Sequence, residues 1–256
     1  MRVFVIRIKW WYVFMLLVLG FVSLVPQVRE PLIVSVTSRG RLVPIYSVKT
    51  SANRVAISFD ATWGTELTDE ILDILDSHGI TTTFFLAGYW VEKHPDYVVK
   101  IAEAGHEIGN HSYSHPHMNT LSEQGISYEL QKNADLIRDL TGQCTSLFRP
   151  PFGEYNNQVI SVASALGYHT IQWSVDSLDW KNLTSNQIYD RVMGQVKPGA
   201  IVLFHNAAPG TPGAIRRLIP DLLAQGYEIL PISHLLHKGD FYIDHAGTQY
   251  PRKGGS

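Results

Sequence analysis

The sequence predicts an α/β fold, a distorted (β/α) barrel of about seven units that follows one N-terminal transmembrane helix. Short apolar, β-rich runs alternate with amphipathic helical segments between residues 53 and 240, which is typical of parallel strands joined by crossover helices. About seven such units suit a closed barrel better than an open sheet. The length of 256 residues also fits one barrel, because such domains commonly reach ~250 residues.

The first predicted element is a membrane anchor over residues 1–28. Arg2, Arg7 and Lys9 precede an uncharged apolar stretch at residues 10–25, which is just short of the ~17 to 25 residues typical of a spanning helix. No small-residue cleavage site follows, so an uncleaved single-pass anchor is favoured over a cleaved signal peptide or a buried core helix. The basic flank predicts a protein of the cell membrane whose remaining residues are extracytoplasmic.

The body then shows strand and helix signals in a regular order. Residues 55–59 (VAISF) are apolar and β-rich, which indicates a buried strand. Residues 67–78 have apolar side chains at helical spacing, acids in the first turn and Gly79 at the end, which predicts a helix. The same signals repeat to residue 230. They predict strands at 81–86, 107–109, 147–148, 168–173, 200–204 and 227–230, and helices at 95–104, 122–140, 156–166, 185–196 and 213–224.

The segments outside this alternation are expected to be irregular. Residues 29–52 are mixed and polar, and we interpret them as a linker with a short strand near 32–36. Residues 53–240 form the predicted catalytic domain. The polar, Gly-rich residues 241–256 are expected to be a flexible tail.

Composition excludes some classes of function. The chain has 21 Lys plus Arg and 23 Asp plus Glu, so nucleic acid is not an expected partner, because phosphate binding needs a basic surface. Cys144 is the single cysteine, which excludes an intramolecular disulfide and a multi-cysteine zinc cluster. Any metal site would therefore use carboxylates and the 11 His. We expect a monomer.

Titratable residues gather at the predicted carboxyl ends of the strands. They are Asp60, His111 and His115, Arg149, Asp176 and Asp179, and His205. Each alone is equally well explained as a turn, capping or structural residue. Their joint placement indicates a site, because a barrel carries its chemistry at this end of its strands.

The sequence HSYSH places two of these residues, His111 and His115, four positions apart. On a helical turn this spacing lets two imidazoles reach one divalent ion, although short matches of this kind also arise by chance. A catalytic zinc normally has a third protein ligand together with open positions for water and substrate. The pair alone therefore leaves both metal binding and a purely structural role open.

Five motifs together resemble those of the polysaccharide deacetylases, carbohydrate esterase family 4 with its NodB homology domain. They are SFDATWG (58–64), HSYSH (111–115), RPPFGEY (149–155), DSLDW (176–180) and IVLFH (201–205). They occur in family order over about residues 53–235, and SFDATWG and the single anchor look most similar to the sporulation-associated PdaB-type branch. The resemblance implies a NodB-like deacetylase barrel that removes acetyl groups from an N-acetylated cell-wall glycan, either peptidoglycan or a chitin-like polymer.

The resemblance also implies roles for four catalytic residues. Asp60 would be the general base, with Arg149 orienting its carboxylate. Asp179 would bond to His205 and keep it protonated as the general acid. Such an arrangement is coherent, because a carboxylate beside an arginine stays ionised while a histidine beside a carboxylate stays charged.

Binding residues follow from the same resemblance. His111 and His115 would be ligands of a divalent metal ion, with zinc the expected one. Trp180 would form a wall of the pocket and Leu203 would line a hollow for the acetyl methyl group. Phe152 lies in the loop whose backbone N–H would stabilise the oxyanion, in a place where the family more often has tyrosine.

Ala61 departs from the family pattern, which has a second acid and third metal ligand at this position. Three alternatives follow. The ion is bound weakly by His111, His115 and water; or Asp60 becomes a ligand and is lost as free base; or no metal binds. The sequence therefore predicts a metal-assisted deacetylase, with a catalytically weak or silent glycan-binding relative as the alternative.

Overall fold

The structure is a computed structural model that describes residues 40–252. Within that range the strands are β1 (Ser47–Val48), β2 (Arg54–Ala61), β3 (Thr83–Leu86), β4 (Glu107–Asn110), β5 (Leu147–Phe148), β6 (His169–Thr170), β7 (Val175–Asp176), β8 (Ile201–His205), β9 (Glu228–Ile229), β10 (Phe241–Ile243) and β11 (Thr248–Pro251). The helices of the same range are α1 (Thr68–Ser77), α2 (Gly88–Lys93), α3 (Pro95–Glu103), α4 (Glu123–Thr141), α5 (Asn157–Ala165), α6 (Ser185–Met193), α7 (Thr211–Ala224) and α8 (Ile232–Leu235).

The main sheet is a half-barrel. Its eight strands in this range run in the order β6-β5-β4-β3-β2-β8-β7, with β9 also beside β2, and every pair is parallel. The predicted alternation of parallel strands and helices is thus confirmed. The predicted closure is wrong for the described residues, because β6 and β7 end the sheet and do not pair with each other.

Residues of the predicted linker lie in the opening between these two ends. Ile45 forms a parallel bridge with Ile171, and Ser47 forms an antiparallel bridge with Ala200. Ile45 and Val48 are buried among the apolar side chains inside the half-barrel. Residues 42–48 therefore belong to the folded body, contrary to the linker predicted for 29–52, because their apolar side chains cover apolar side chains inside the half-barrel that would otherwise be exposed.

The predicted flexible tail is also structured where it is described. Strand β11 pairs in parallel with β1 and antiparallel with β10. Phe241 and Ile243 are buried in the same apolar cluster as Ile45. The prediction for 241–256 is therefore wrong up to residue 252, because a polar composition hid strands β10 and β11, and β11 pairs with β1, which lies far away in sequence.

The predicted helices are present with small shifts at their ends, and local capping explains several boundaries. Helix α4 begins after Ser122, whose Oγ accepts a hydrogen bond from Gly125 N at 3.2 Å, and ends at Gly142 in the left-handed conformation. Helix α6 begins with a capping box between Thr184 and Gln187. The short helix α2 and the two-residue strand β7 were not predicted, because they are too short to show a periodicity.

Strand β2 separates the two sides of the sheet. Val55, Ile57 and Phe59 pack outward against the helices, and the Phe59 ring stacks on Phe84 at 4.9 Å. Because side chains alternate along a strand, Asp60 faces the inside of the half-barrel. Strand β2 thus presents Asp60 at its carboxyl end.

The predicted anchor at 1–28 and the predicted strand near 32–36 lie outside the described residues. Among residues 40–252, no helix combines the length and the apolar character needed to cross a membrane.

Candidate active site

Four strands of the main sheet bring the predicted site residues to one edge of the sheet. Asp60 on β2 lies beside His205 on β8 in the parallel register. On the other side of β2, His111 follows β4 and Arg149 follows β5, and Asn110 and Phe148 are register partners. The structure therefore brings together residues that are up to 145 positions apart because the carboxyl ends of parallel strands meet.

Arg149 fixes the Asp60 carboxylate. It is completely buried, and its Nη1 donates to Asp60 Oδ1 at 2.7 Å. Its Nη2 donates to Ser58 Oγ at 2.8 Å and to the Gln172 carbonyl at 3.3 Å. The guanidinium also lies over the Phe85 ring, 4.1 Å from its centroid. The arginine therefore sets the orientation of Oδ1 and leaves Oδ2 turned toward His111.

The environment keeps Asp60 ionised. Burial alone raises the pKa of this carboxyl, but the charges of Arg149 and His205 outweigh burial and hold the pKa below its ordinary value. A buried carboxylate that stays charged at neutral pH can accept a proton from a water molecule. Asp60 therefore has the charge state that a general base requires.

Asp179 holds His205 on the opposite side of the pocket. The Asp179 Oδ1 atom lies 2.7 Å from His205 Nδ1, and Oδ2 accepts the His205 backbone N–H at 2.7 Å and the Thr211 hydroxyl at 2.6 Å. Burial lowers the pKa of His205, but the hydrogen bond and the charge of Asp179 outweigh burial and raise it above its ordinary value. Asp179 therefore favours the protonated form of His205, whose Nε2 is the nitrogen left for a substrate.

The two histidines of HSYSH lie together beside Asp60. Their ring centroids are 5.0 Å apart, and His111 Nε2 lies 3.6 Å from Asp60 Oδ2. His111 Nδ1 lies 2.7 Å from the Arg149 carbonyl, which fixes Nδ1 as the protonated nitrogen and leaves Nε2 as an acceptor. Burial is the largest cause that lowers the pKa of His111, and it lowers that of His115 to about 4, so both imidazoles are neutral.

His111 and His115 provide only part of a metal-binding site. Neutral imidazoles with a fixed tautomer are suitable ligands, but Ala61 carries a methyl group where the family has its third ligand. Ala61 is completely buried in the outward apolar cluster of β2. Residues 40–252 contain no group of three or more His, Cys, Asp or Glu side chains arranged to hold an ion. The described residues therefore do not form the three-ligand centre that is usual for catalytic zinc.

The predicted binding residues are Phe152, Trp180 and Leu203. Phe152 is 57% exposed and adopts a left-handed φ of 59°, and its ring centroid lies 4.6 Å from that of His115 in an edge-on arrangement. Trp180 is 51% exposed and follows Asp179 directly. Leu203 is buried two residues before His205 and faces the same side of β8. Phe152 thus contacts a histidine of the site, and the roles of Phe152, Trp180 and Leu203 stay predictions.

Sequence reasoning missed several residues that build the site. The Ser58 hydroxyl and the Gln172 backbone carbonyl accept the hydrogen bonds of Arg149 Nη2. Trp63 lies over the pocket with its ring centroid 6.1 Å from that of His205. The position of Ser58, two residues before Asp60 on the same strand face, could have indicated its role. The position of Trp63 in the SFDATWG motif gave no comparable signal, because a loop conformation decides where its indole lies.

Comparison with known proteins shows which family has this constellation. A family model for polysaccharide deacetylase matches residues 47–171. The peptidoglycan-N-acetylmuramic acid deacetylase PdaA of Bacillus subtilis (strain 168) is 34% identical over 204 residues, which cover 77% of this chain and 77% of that protein. The chain belongs to the polysaccharide deacetylase family. The family resemblance of the five motifs is therefore confirmed, and the assignment to a PdaB-type branch stays a prediction.

Other relatives include an uncharacterized protein, a pseudoenzyme and a mutant of that pseudoenzyme with restored activity. The uncharacterized protein YlxY of Bacillus subtilis (strain 168) is 35% identical over 75% of this chain, which spans 60% of that relative. The structure of BA3943, a CE4 family pseudoenzyme from Bacillus anthracis, is 38% identical with a TM-score of 0.73 and covers 75% of this chain and 68% of that one. The structure of a BA3943 mutant with restored enzymatic activity has 39% sequence identity and a TM-score of 0.73. The match covers 75% of this chain and 71% of the mutant chain.

Proposed function

We propose that this polysaccharide deacetylase hydrolyses N-acetyl groups on a cell-wall glycan, peptidoglycan or a chitin-like polymer. One observation carries the proposal. Asp60 and His205 are register partners on adjacent strands, and each is held in the charge state that amide hydrolysis needs. A base and an acid that stay charged together near neutral pH are the minimum machinery for cleaving an unactivated amide. The name of the relative PdaA supports peptidoglycan as the substrate class.

The residues of this chain suggest a sequence of proton transfers. Asp60 takes a proton from the attacking water, whose oxygen then bonds to the amide carbon. Arg149 keeps Oδ1 of Asp60 occupied, so that the proton goes to Oδ2. His205 delivers its Nε2 proton to the amide nitrogen as the carbon–nitrogen bond breaks, and Asp179 stabilises the imidazolium until then. The products are acetate and a free amino sugar.

A silent glycan-binding relative is the second candidate, and Ala61 is the observation that favours it. The methyl group at this position cannot complete a ligand set with His111 and His115. The base and the acid would then remain in place without the electrophilic assistance that a metal supplies. We infer that zinc, the ion implied by the family resemblance, binds weakly to this chain.

Several finer points belong to the same proposal. Residues 1–28 would anchor the protein in the cell membrane by a single span, with the deacetylase domain outside, as their basic and apolar sequence suggests. A PdaB-type role in sporulation and a monomeric state would follow from the motif resemblance. Membrane fractionation and protease accessibility of the domain in intact cells test the location.

The experiment that separates the two candidates measures acetate release and glycan retention on the same protein. Wild type, Asp60→Asn and His205→Ala are incubated with N-acetylglucosamine oligomers and with purified peptidoglycan, with and without added zinc. Hydrolysis predicts acetate from the wild type and little from either variant. Retention of the oligomers by all three proteins without acetate would instead support the silent binder. Acetate release that persists in Asp60→Asn would remove Asp60 from the mechanism.

A further inference from the structure

Trp63 is a large aromatic residue that the structure leaves exposed at the pocket. Its side chain is 56% exposed, although a tryptophan normally contributes to a core. Its ring centroid lies 6.4 Å from that of His115 and 6.1 Å from that of His205. The indole thus stands between the two sides of the pocket, next to the acid and next to one of the paired histidines.

The backbone around Trp63 is fixed even though the side chain is exposed. The carbonyl of Gly64 accepts a hydrogen bond from Trp90 Nε1 at 2.9 Å and another from Asn206 Nδ2 at 3.0 Å. Both donors are buried, and Asn206 also donates to the Thr68 hydroxyl at the first turn of α1. The loop is therefore pinned to α1, α2 and the end of β8. An exposed indole on a pinned loop is preorganised, so little conformational freedom is lost when it binds a ligand.

One other exposed aromatic residue continues the same rim. The Phe152 ring centroid lies 4.6 Å from that of His115, on one side of Trp63. Two of the large exposed apolar side chains of residues 40–252 thus lie beside the same histidine. Apolar groups that cluster on a surface around a polar site mark a ligand-binding surface.

We propose that Trp63 is a sugar-binding and specificity-determining residue. This inference rests on the proposed action on glycans and names the group that selects them. The indole stacks on the apolar C–H face of an N-acetylhexosamine ring and directs the acetamido group of that ring between His115 and His205. Acyclic N-acetyl compounds have no such face, so Trp63 favours a pyranose over a small amide that carries the same reacting bond.

The charges near the pocket agree with a neutral sugar rather than a charged ligand. Asp60 is paired with Arg149, and His205 is paired with Asp179. At the rim, His117 lies 3.0 Å from Glu154, and the His117 ring stacks on Phe152 at 4.6 Å. Inside the pocket the Asp60–Arg149 and Asp179–His205 pairs satisfy each other, which leaves ring stacking and hydrogen bonding as the means of recognition.

The test compares glycan binding and acetate release by wild type, Trp63→Ala and Trp63→Phe. Binding of an N-acetylglucosamine pentamer is measured by calorimetry. Tyr242→Ala is the matched control, because Tyr242 is also exposed and stacks on a neighbouring ring, that of Tyr250, but lies on β10 outside the main sheet. We expect Trp63→Ala to raise Kd about tenfold, equivalent to about 1.4 kcal/mol. Trp63→Phe should raise Kd by less than Trp63→Ala does, and Tyr242→Ala should bind the pentamer with the affinity of wild type.

The melting temperature should change little in either Trp63 variant, because the side chain is half exposed. Equal pentamer affinity in wild type and Trp63→Ala would overturn the inference, whether or not acetate is released. Wild type that binds the pentamer through Trp63 but releases no acetate would refute hydrolysis and leave the inference standing. Wild type that neither binds nor cleaves the pentamer would overturn both.

Discussion

Replacing Ala61 with aspartate should create a metal-dependent centre and lower the stability of the metal-free protein. Ala61 is completely buried in the apolar cluster outside β2, and its carbonyl accepts a hydrogen bond from Ala87 N at 3.1 Å. A carboxylate in this apolar cluster has no cation beside it, and it would meet a metal ion only if its side chain turned toward His111 and His115. Without metal, the variant therefore carries a buried charge with no partner.

The size of both effects can be estimated. An uncompensated buried charge typically destabilises a protein by about 3–5 kcal/mol, and we expect Ala61→Asp to fall in that range without metal. Zinc that binds only the folded state stabilises it by about 2.7 kcal/mol when its concentration is a hundredfold above Kd. Zinc should thus recover more than half of the loss in the variant. It should have a much smaller effect on wild type, whose third ligand is missing.

The assay is chemical unfolding of wild type, Ala61→Asp and Ala61→Asn, each with a chelator and with excess zinc. Bound metal per chain is measured in parallel. The asparagine variant is the matched control, because it has nearly the same shape but a neutral amide that binds zinc poorly. We expect both variants to be destabilised and only Ala61→Asp to be rescued. Equal rescue of the two variants, or rescue of neither, would show that a side chain at position 61 does not reach the ion.

Three further predictions concern the charged pairs. His205→Ala should lower acetate release about a hundredfold or more, as expected for the loss of a general acid, when initial rates are measured by an acetate-coupled assay. Arg149→Leu should leave the Asp60 carboxylate buried without its partner and destabilise the fold by about 3–5 kcal/mol in urea unfolding. The rate of acetate release should decrease as pH rises through the pKa of His205, which lies above the ordinary 6.5. Asp179→Asn should move this decrease to lower pH, because the substitution removes the carboxylate that raises the pKa of His205.

Each of these predictions has an outcome that contradicts it. Wild-type rates in His205→Ala would mean that water or another group protonates the leaving amine. An unchanged unfolding free energy in Arg149→Leu would mean that Asp60 takes up a proton and needs no cation. If the rate decreases at the same pH in Asp179→Asn as in wild type, a group other than His205 causes that decrease.

The charged residues at the carboxyl ends of the strands could be predicted from the sequence, because short local patterns place them there. The apolar run before Asp60 and the run before His205 each indicate a strand, and parallel strands place their ends together. The segments that pair at the two ends of the half-barrel could not be predicted in this way. Ile45 pairs with Ile171 and β1 pairs with β11 across more than a hundred residues, and short windows of sequence do not encode such partners. The position of the Trp63 indole likewise depends on hydrogen bonds from Trp90 and Asn206.

The buried charged pairs serve folding as well as the proposed catalysis, so their substitution changes stability together with activity. Arg149 is completely buried, so a relative without activity would still need Asp60 to compensate its charge. Asp179 accepts the Thr211 hydroxyl and the His205 backbone N–H, so it also has a structural role. The half-exposed Trp63 adds little to the core, and its substitution therefore reports on ligand binding more directly than the substitution of either buried pair.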